Sequence, residues 1–310
     1  MKPTNDFLSA PCEVAIEITG RCNLDCKYCF NNKIGVDIPF NILKKIFDQA
    51  DEMNVFEVCI SGGEPFIRSD IFDILNYAKE KDFDLSIVTN GTFFDSKTIK
   101  RINNMNLMNS IQISMDSSDE YIHNSVRGLF SKTLTSLKEI KEKCDDLPTI
   151  GIVLHKQNFS NICKSLKLLS KYCSGFHLMN VMCSKKSLEN KNLLFLDYKT
   201  IANVWKEIEF FCRKNSINID IHDYDLKEKV TARFTGCTAG KTKIAITPKL
   251  DVIPCDMARS LIIGNLNDMT LEQIWNSDKA DKIRNLEIEP CYNLNKKWYE
   301  SIQQIATYNR

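Results

Sequence analysis

The sequence predicts an α/β fold: a partial (β/α)6 barrel of the TIM type, followed by a small α+β domain with a β-hairpin. Six apolar, β-branched runs of strand length alternate with amphipathic runs of helix length. This alternation is typical of parallel βαβ units. After about residue 220 it gives way to a polar stretch and a hairpin pattern. We therefore expect the barrel to cover residues 12–220, and the second domain, with a C-terminal helix, to cover residues 221–310.

The predicted strands take in the most apolar segments of the barrel. They cover Val14–Thr19, Val55–Ile60, Leu85–Thr89, Ile111–Met115, Ile150–Leu154 and Phe176–Val181. The predicted helices carry apolar residues three and four positions apart. They cover Asn41–Met53, Ile71–Lys81, Thr98–Met105, Thr133–Lys143, Asn161–Lys171 and Tyr198–Asn215. Function in such folds gathers at the carboxyl ends of the strands, so the residues after each strand are the first candidates for a site.

The second domain is predicted from a hairpin pattern and a helical tail. Ile244–Thr247 and Val252–Ile253 flank a turn at Pro248–Asp251. Apolar residues of the tail that have helical spacing are Leu271, Ile274, Trp275 and Ile283.

The composition is that of an ordinary globular protein, with 43% hydrophobic and 26% charged residues among 310. Lys and Arg number 41 against 40 Asp and Glu, so no basic surplus favours nucleic acid or an anionic membrane. The sequence has neither an apolar run of membrane-spanning length nor an apolar secretory signal, so we expect a cytoplasmic protein. In a reducing compartment, thirteen cysteines indicate metal binding or catalysis more than disulfides.

Three of these cysteines, Cys22, Cys26 and Cys29, follow the first strand in the loop RCNLDCKYCF, with the spacing CxxxCxxC. A structural zinc site usually takes four protein ligands in spaced pairs. Three thiolates on one loop instead suit a cubane iron–sulfur cluster with one open iron, which could bind a substrate. The alternative from another class is a non-catalytic metal-binding scaffold that docks a partner.

The loop and the strand ends after it resemble the radical S-adenosylmethionine (SAM) superfamily over residues 12–220. Ser61-Gly62-Gly63-Glu64-Pro65, after the second strand, is similar to that family's GGE segment. Later segments resemble the SLD...H...RG pattern of a branch that contains sulfatase-maturing, peptide-modifying and molybdopterin-precursor enzymes. These segments are Thr89-Asn90-Gly91, Ser114-Met115-Asp116, His123 and Arg127-Gly128.

The resemblance implies a reaction and a set of cofactor-binding residues. One electron enters the cluster, SAM is cleaved to a 5′-deoxyadenosyl radical, and that radical abstracts hydrogen from a substrate; a flavodoxin- or ferredoxin-type protein would donate the electron. The backbone of the GGE segment would hold the amino group of SAM, Arg127 its carboxylate, and Ser114 its ribose or methionine part. The full implied set is Tyr28, Phe30, Gly62, Gly63, Glu64, Asn90, Ser114, Asp116 and Arg127, with Tyr28 and Phe30 against the adenine.

A second cysteine set, Cys237, Cys255 and Cys291, lies in segments that resemble the auxiliary-cluster extension called SPASM, or its shorter form called twitch, over residues 236 to about 292. These segments are CTAG, DVIPC and GNLNDMTLEQIWNS. The resemblance implies an auxiliary iron–sulfur cluster beside the SAM cluster.

The second set departs from the family pattern. A full SPASM extension has seven cysteines, but Leu294 stands where a CxxC pair would end, and Leu250 replaces a usual glycine. The fourth ligand position could be open, taken by substrate, or taken by a side chain such as Cys183 or Asp256. The alternative is a decayed site of buried thiols. The cysteines outside both sets are most simply core residues: Cys12, Cys59, Cys144, Cys163, Cys173 and Cys212.

Two histidines, His155 and His177, are expected at the ends of the fifth and sixth strands, where barrel chemistry gathers. Each is a candidate catalytic acid or base. The alternative for each is a structural histidine with satisfied hydrogen bonds.

The substrate expected from the resemblance is a ribosomally made peptide or protein, altered by a thioether or carbon crosslink, epimerisation or oxidation. The alternative is a small molecule such as an aminoglycoside, a nucleotide or a cofactor precursor. The first strand begins by residue 13, which leaves no room before it for a winged-helix leader-binding domain. We therefore expect either direct docking of the peptide or a separate leader-recognition protein.

Overall fold

A computed structural model describes residues 7–31, 34–182, 184–222 and 238–285. It confirms the α/β prediction, and all six predicted barrel strands occur within two residues of their expected ends. They are β1 (Glu13–Thr19), β2 (Glu57–Gly62), β3 (Asp84–Thr89), β4 (Ile111–Ser114), β5 (Thr149–Leu154) and β6 (Gly175–Asn180). Four more strands follow: β7 (Ile219–His222), β8 (Lys243–Ile246), β9 (Asp251–Ile253) and β10 (Gly264–Asn265).

The six helices predicted from apolar spacing all occur, and three short helices in the barrel region, at Glu120–Val126, Lys185–Glu189 and Lys191–Leu194, were not predicted. The helices are α1 (Phe40–Glu52), α2 (Ile71–Lys79), α3 (Ser96–Asn104), α4 (Glu120–Val126), α5 (Phe130–Lys143), α6 (Ile162–Leu169), α7 (Lys185–Glu189), α8 (Lys191–Leu194), α9 (Tyr198–Asn215), α10 (Leu271–Trp275) and α11 (Asp278–Arg284). Among the described helices, none is long and apolar enough to cross a bilayer.

The chain divides into two compact units. Of the described residues, 7–23, 31, 34–87 and 238–285 form the first unit, and 24–30, 88–182 and 184–222 form the second. In the first unit the strand order is β10-β9-β8-β1-β2-β3. The predicted hairpin of β8 and β9 is present, and β8 pairs in parallel with β1. The hairpin therefore continues the sheet of β1 instead of forming a separate sheet.

The sequence EVAIEIT of β1 gives the sheet of the first unit two unlike faces. Val14, Ile16 and Ile18 are wholly buried on one face. The opposite face carries Glu13 and Glu17, and the strand register places neighbouring residues of β8 and β2 on that same face. This second face combines charged residues with a small apolar cluster of Ala15, Ala245 and Ile253.

In the second unit β4, β5, β6 and β7 pair in parallel. One face is apolar and buried, with Ile152 and Leu178 each 1% exposed. The register Ser114↔Gly151↔His177 defines the other face, on which the side chain of His177 is 25% exposed. Ser114, a predicted cofactor residue, thus lies on the more open face.

The expectation of core positions for the remaining cysteines holds only in part. Cys173 and Cys212 are buried, and Cys59, Cys144 and Cys163 are partly buried. Cys12 is exposed, so its prediction as a core residue is wrong. It precedes β1 directly and is bound through its backbone, with its N–H donating to Thr242 O at 2.7 Å.

Candidate functional site

The loop that carries the CxxxCxxC cysteines follows β1. Cys26 is buried, whereas Cys22 and Cys29 are partly exposed. The end of the loop is fixed by its backbone, because Lys27 N–H donates to Val126 O at 2.8 Å and Cys29 N–H to Cys26 O at 3.2 Å. Within the described ranges, no three Cys, His, Asp or Glu side chains converge as ligands of one metal ion. A cubane takes one cysteine per iron, so its ligands need no such convergence.

The glycines of the GGE segment are required by close packing in the first unit. Gly62 has φ +132°, and a Cβ there would lie 2.4 Å from Thr19 O. A Cβ on Gly63 would lie 2.0 Å from Arg21 O and 3.1 Å from the Cβ of Cys22. The amides are bound as well, with Gly63 N–H donating to Thr19 O and Glu64 N–H to Arg21 O, both at 2.8 Å. The segment therefore lies directly on the backbone that leads into Cys22, and any side chain would push the two apart.

Glu64 is fully buried and stabilises the turn after β2. Its Oε1 accepts from Phe66 N–H at 3.1 Å, which caps the short 3₁₀ helix Pro65–Ile67. The capping carboxylate fixes the turn in which Gly62 and Gly63 stand.

In the second unit, Tyr28, Asp116 and Arg127 form a buried polar cluster. The hydroxyl of Tyr28 donates to Asp116 Oδ2, and Arg127 Nε donates to the hydroxyl at 3.1 Å. Arg127 Nε lies 3.6 Å from Asp116 Oδ2, and Asp116 Oδ1 accepts from Val153 N–H at 3.1 Å. Burial opposes ionisation of Asp116, but the charge of Arg127, together with the two nearby histidines and the hydrogen bond from Tyr28, outweighs burial and lowers the pKa of Asp116. Burial raises the pKa of Tyr28 well above its ordinary value, so Tyr28 stays a hydrogen-bond donor.

One hydrogen-bond donor of Arg127 is not used by the described residues of this cluster. Burial alone would lower the pKa of Arg127, but Tyr28, Cys26 and Asp116 raise it, so the guanidinium stays charged. Its Nη1 is buried and has no hydrogen-bond partner among the described residues. A buried charged N–H without a partner is costly unless a ligand supplies an acceptor. The cluster thus fits a ligand carboxylate, such as that of SAM.

His123 of the H...RG pattern holds Arg127 in place. Its Nε2 lies 3.1 Å from Gly128 O, its ring meets the Phe130 ring edge-on at 5.6 Å, and its carbonyl accepts from Arg127 N–H at 2.9 Å. Burial lowers the pKa of His123 to about 4. Through these contacts His123 holds the turn at residues 127–128 in place.

His155 follows β5 directly, as predicted, and is fully buried. Its Nδ1 accepts from Gln157 N–H at 3.1 Å, so the neutral ring carries its proton on Nε2. That Nε2 is buried without a partner in the described chain, and the ring lies 6.4 Å from the Tyr28 ring. Burial lowers the pKa of His155 to about 4. At neutral pH, His155 is therefore a neutral donor next to the Tyr28 cluster.

The expected position of His177 is wrong. It is the third residue of β6 and not at the strand's end, and its Nδ1 lies 2.8 Å from Asp220 Oδ2 on β7. The predicted strand, Phe176–Val181, already has His177 as its second residue, and the observed strand continues past His177 to Asn180. His177 does share the more open sheet face with Ser114.

The other predicted cofactor residues of the second unit lie close to strand ends. Asn90 follows β3, is buried, and its Oδ1 accepts from Thr92 N–H at 2.9 Å. Ser114 is the buried last residue of β4. Phe30 ends the cysteine loop and is partly buried. Their predicted contacts with a cofactor stay predictions.

Of the second cysteine set, Cys255 alone lies in the described part of the chain. Cys237 and Cys291 lie outside the described residues, and so do Cys183 and Leu294. Cys255 follows β9 and is partly exposed. Asp256, a candidate fourth ligand, has its Oδ2 3.7 Å from Lys243 Nζ. Leu250 has φ +66°, which explains the glycine usual at that position.

Two features near the site were not predicted. Asn158 accepts from His155 N–H at 2.8 Å and donates to Asp116 O at 2.8 Å, so it ties together the two loops that carry these residues. In the first unit Arg259 binds both carboxylate oxygens of the buried Glu17. The signal available for Glu17 was a charge inside an apolar strand, which is rarely buried without a partner. For Asn158 the sequence carries no signal.

Comparison with known families and proteins matches two parts of the chain. The model of the radical SAM superfamily matches residues 16–169. The model of the iron–sulfur cluster-binding domain SPASM matches residues 237–296. The matched ranges contain both cysteine sets.

Individual relatives match nearly the whole chain. A PqqA peptide cyclase of Granulibacter bethesdensis is 26% identical and covers 94% of this chain and 81% of its own. An AdoMet-dependent heme synthase of Methanosarcina barkeri is 23% identical and covers 90% of this chain and 86% of its own. Among solved structures, SuiB of Streptococcus suis bound to the precursor peptide SuiA superposes with a TM-score of 0.75 at 21% identity. That match covers 90% of this chain and 67% of SuiB, and it shows a shared fold.

Proposed function

The chain belongs to the radical SAM superfamily, and we propose that this enzyme modifies a ribosomally made peptide or protein. The observation that carries the proposal is the near full-length match to a peptide cyclase. The fold shared with a structure that holds a precursor peptide supports it. The reaction would form a thioether or carbon crosslink, epimerise a residue or oxidise one.

The cofactors are a [4Fe–4S] cluster, SAM and an auxiliary iron–sulfur cluster. When bound, the first cluster and SAM supply a one-electron cleavage of SAM that generates a hydrogen-abstracting species. We assign the first cluster to Cys22, Cys26 and Cys29. We assign the auxiliary cluster to Cys237, Cys255 and Cys291. Residues 12–220 would then form the SAM barrel and residues 221–310 the auxiliary domain.

The chain's own residues would bind and orient SAM. The spare Nη1 of Arg127 is suited to the carboxylate of SAM, since the fixed charge and the buried position favour an anionic partner. The backbone at Gly62, Gly63 and Glu64 would take its amino group. Ser114 and Asn90 would bind its polar atoms.

Aromatic and carboxylate groups complete the binding set. Tyr28 and Phe30 would pack against the adenine. Asp116 would hold Tyr28 and Arg127 in place, since its Oδ2 contacts both side chains.

Two histidines would assist the reaction as catalytic residues. His155 offers a neutral Nε2–H in a buried position, suited to donate a hydrogen bond to a substrate oxygen. His177 pairs with Asp220 through Nδ1, which suits a base on the more open sheet face.

The partners follow from the chemistry. A flavodoxin- or ferredoxin-type protein would supply the electron. A separate leader-recognition protein would present the peptide, unless the peptide docks directly. We place the enzyme in the cytoplasm, where a reducing environment preserves cluster thiolates.

The test is an anaerobic reaction of the iron-reconstituted enzyme with SAM, dithionite and peptides encoded in short reading frames next to its gene. We expect 5′-deoxyadenosine and an altered peptide in the same reaction: a changed mass for a crosslink or an oxidation, or one deuterium gained in heavy water for an epimerisation, which leaves the mass in ordinary water unchanged. The matched control is Cys26→Ala, in which both products should be absent. Formation of 5′-deoxyadenosine with neither a mass change nor deuterium uptake in any such peptide would overturn the peptide proposal and leave the enzyme class intact.

The second candidate is a small-molecule substrate, favoured by the match to a heme synthase over 90% of this chain. It would be supported if a porphyrin or another cofactor precursor raised 5′-deoxyadenosine formation in this assay while the peptides did not.

A further inference from the structure

Asn158 is a fully buried residue whose side-chain amide binds the surrounding backbone through both of its ends. Its Nδ2 donates to Asp116 O at 2.8 Å and to Val153 O at 2.9 Å, and its Oδ1 accepts from His155 N–H at 2.8 Å. Both N–H groups of the amide and its oxygen are therefore engaged. Aspartate has nearly the same shape but no N–H group, so it could not satisfy the same backbone partners.

These bonds fix Asp116, which lies just beyond the end of β4. The pairing of β4 with β5 continues through Met115, whose N–H donates to Gly151 O at 2.9 Å. Asp116 is then attached to the end of β5 twice. Its carboxylate Oδ1 accepts from Val153 N–H at 3.1 Å, and its backbone carbonyl accepts from Asn158. Asn158 therefore holds the main chain of Asp116, while Val153 holds the carboxylate.

The carboxylate of Asp116 in turn fixes two side chains of the buried polar cluster. Its Oδ2 accepts from the hydroxyl of Tyr28 and lies 3.6 Å from Nε of Arg127. The same Nε donates to the hydroxyl of Tyr28 at 3.1 Å, while Nη1 of Arg127 is buried without a partner among the described residues. A continuous series of contacts thus leads from Asn158 through Asp116 to the donor that would bind SAM.

We propose that Asn158 is a positioning residue of the SAM site, which aligns Nη1 of Arg127 with the SAM carboxylate by fixing Asp116. The inference rests on the assignment of that carboxylate to Arg127 above. A hydrogen bond weakens steeply with distance and angle, so a binding group needs supporting hydrogen bonds to keep it in place. Without Asn158, Asp116 would stay attached to β5 only through the carboxylate that must also hold Arg127.

The test compares SAM with decarboxylated SAM, which lacks the carboxylate and is otherwise the same molecule. Calorimetric titration of each compound into the anaerobically reconstituted enzyme gives two dissociation constants. Asn158→Ala should weaken the binding of SAM by about tenfold, a usual coupling within one hydrogen-bond network, and that of decarboxylated SAM by less than about twofold. A general loosening of the protein would weaken the binding of both compounds alike.

The matched control is Asn180→Ala in the same unit. Asn180 is the last residue of β6, is 2% exposed, and has no hydrogen-bond partner for its amide among the described residues. The control removes the same atoms from a buried position and should leave both dissociation constants unchanged. The double variant Asn158→Ala/Arg127→Lys should bind SAM no more weakly than Arg127→Lys alone, because Asn158 acts through Arg127.

The variants separate this inference from the assignment on which it rests. If Arg127→Lys left the preference for SAM over decarboxylated SAM unchanged, the assignment of the carboxylate to Arg127 and this inference would both be overturned. If Arg127→Lys lowered that preference and Asn158→Ala did not, this inference alone would be overturned.

A measurement on the unchanged protein decides the case in which Asn158→Ala does not fold. Coupling between sites is reciprocal, so binding of the carboxylate should stabilise the hydrogen bonds of Asn158. Hydrogen exchange, followed by mass spectrometry of a peptide covering residues 153–158, should be slower with saturating SAM than with saturating decarboxylated SAM. Equal exchange with the two compounds would overturn the role of Asn158.

Discussion

Arg127 is the residue whose surroundings point most directly to a ligand. Its Nε is bound to Tyr28, while its buried Nη1 has no partner in the described chain. Arg127→Lys should weaken SAM binding by about tenfold to a hundredfold, because one charged hydrogen bond contributes about 1.5–3 kcal/mol. Calorimetric titration of SAM into the reconstituted enzyme measures this. Arg213→Lys, on the exposed face of α9, is the matched control, and equal affinities in both variants would contradict the assignment.

His123 and His155 should make stability depend on pH. Burial lowers the pKa of each from 6.5 to about 4. The folded protein therefore keeps both rings neutral in a pH range where the unfolded chain binds protons, so their stabilising effect is full above pH 6.5 and is lost as the pH falls towards 4. When the pH falls from 7.5 to 5.5, each histidine should lower the free energy of unfolding by about 1.4 kcal/mol, the value of one pKa unit.

Urea unfolding of the iron-free protein at these two pH values measures the effect, since acid loss of clusters then plays no part. His123→Gln and His155→Gln should each remove about half of the difference, and the double variant should remove all of it. Comparing each variant with the wild type cancels the pH dependence that other groups contribute. Glu17 and Glu57 are such groups, since burial raises their pKa values. An unchanged pH dependence in the double variant would contradict the burial argument.

At the scale of elements, the turn after β2 packs closely against the loop that follows β1. A Cβ on Gly63 would meet the backbone oxygen of Arg21, which cannot move without moving Cys22. We expect Gly63→Ala to lower the iron content of the reconstituted protein to less than about half, because overpacking against backbone costs about 1–3 kcal/mol. Iron analysis and urea unfolding measure the two effects.

The matched control for that change is Gly151→Ala on β5. A Cβ there would lie 2.7 Å from the end of the Gln112 side chain, which can rotate away. This variant should keep its iron. A similar loss of iron in both variants would show that any added methyl group disturbs the protein, and would contradict the specific role of Gly63.

The hairpin turn stores strain at Leu250, whose φ is +66°. A residue with a Cβ pays about 1–2 kcal/mol in the left-handed region, which glycine avoids. Leu250→Gly and Leu250→Ala both remove the side-chain contacts, so their difference isolates the backbone. We expect the glycine variant to be more stable by about 1 kcal/mol in urea unfolding. An alanine variant of equal or greater stability would contradict a strained turn.

Elements were predictable where local signals were strong. The predicted bounds of α9, Tyr198–Asn215, are those observed, because Asp197 caps its start by accepting from Thr200 N–H and Ser216 leaves the helix with φ +54°. The strands were found from apolar runs, but β7 was missed because its four residues, IDIH, contain two polar ones. The ends of β6 were predicted to within one residue, and the expected position of His177 was wrong because His177 is the second residue of the predicted run Phe176–Val181 and not its last.

For the whole molecule, the features that the sequence could not predict are contacts between residues far apart in the chain. The cysteine and glycine motifs indicated a site because their spacing is local. The parallel pairing of β8 with β1 joins segments more than two hundred residues apart, and no local pattern specifies it. The same holds for Asn158, which joins Asp116 to His155, and for the neutral state of His155, since burial and not residue type sets its pKa.

The ion pair of Glu17 and Arg259 joins residues 242 positions apart within the first unit. Glu17 lies on β1 and is 2% exposed; Arg259 follows Cys255 by four residues. Arg259→Met would leave a buried carboxylate without its cation, and we expect a loss of about 3–5 kcal/mol in the free energy of unfolding. The double variant Glu17→Met/Arg259→Met removes both charges and should recover most of that loss. If the double variant were as unstable as Arg259→Met alone, packing and not charge pairing would join this segment to β1.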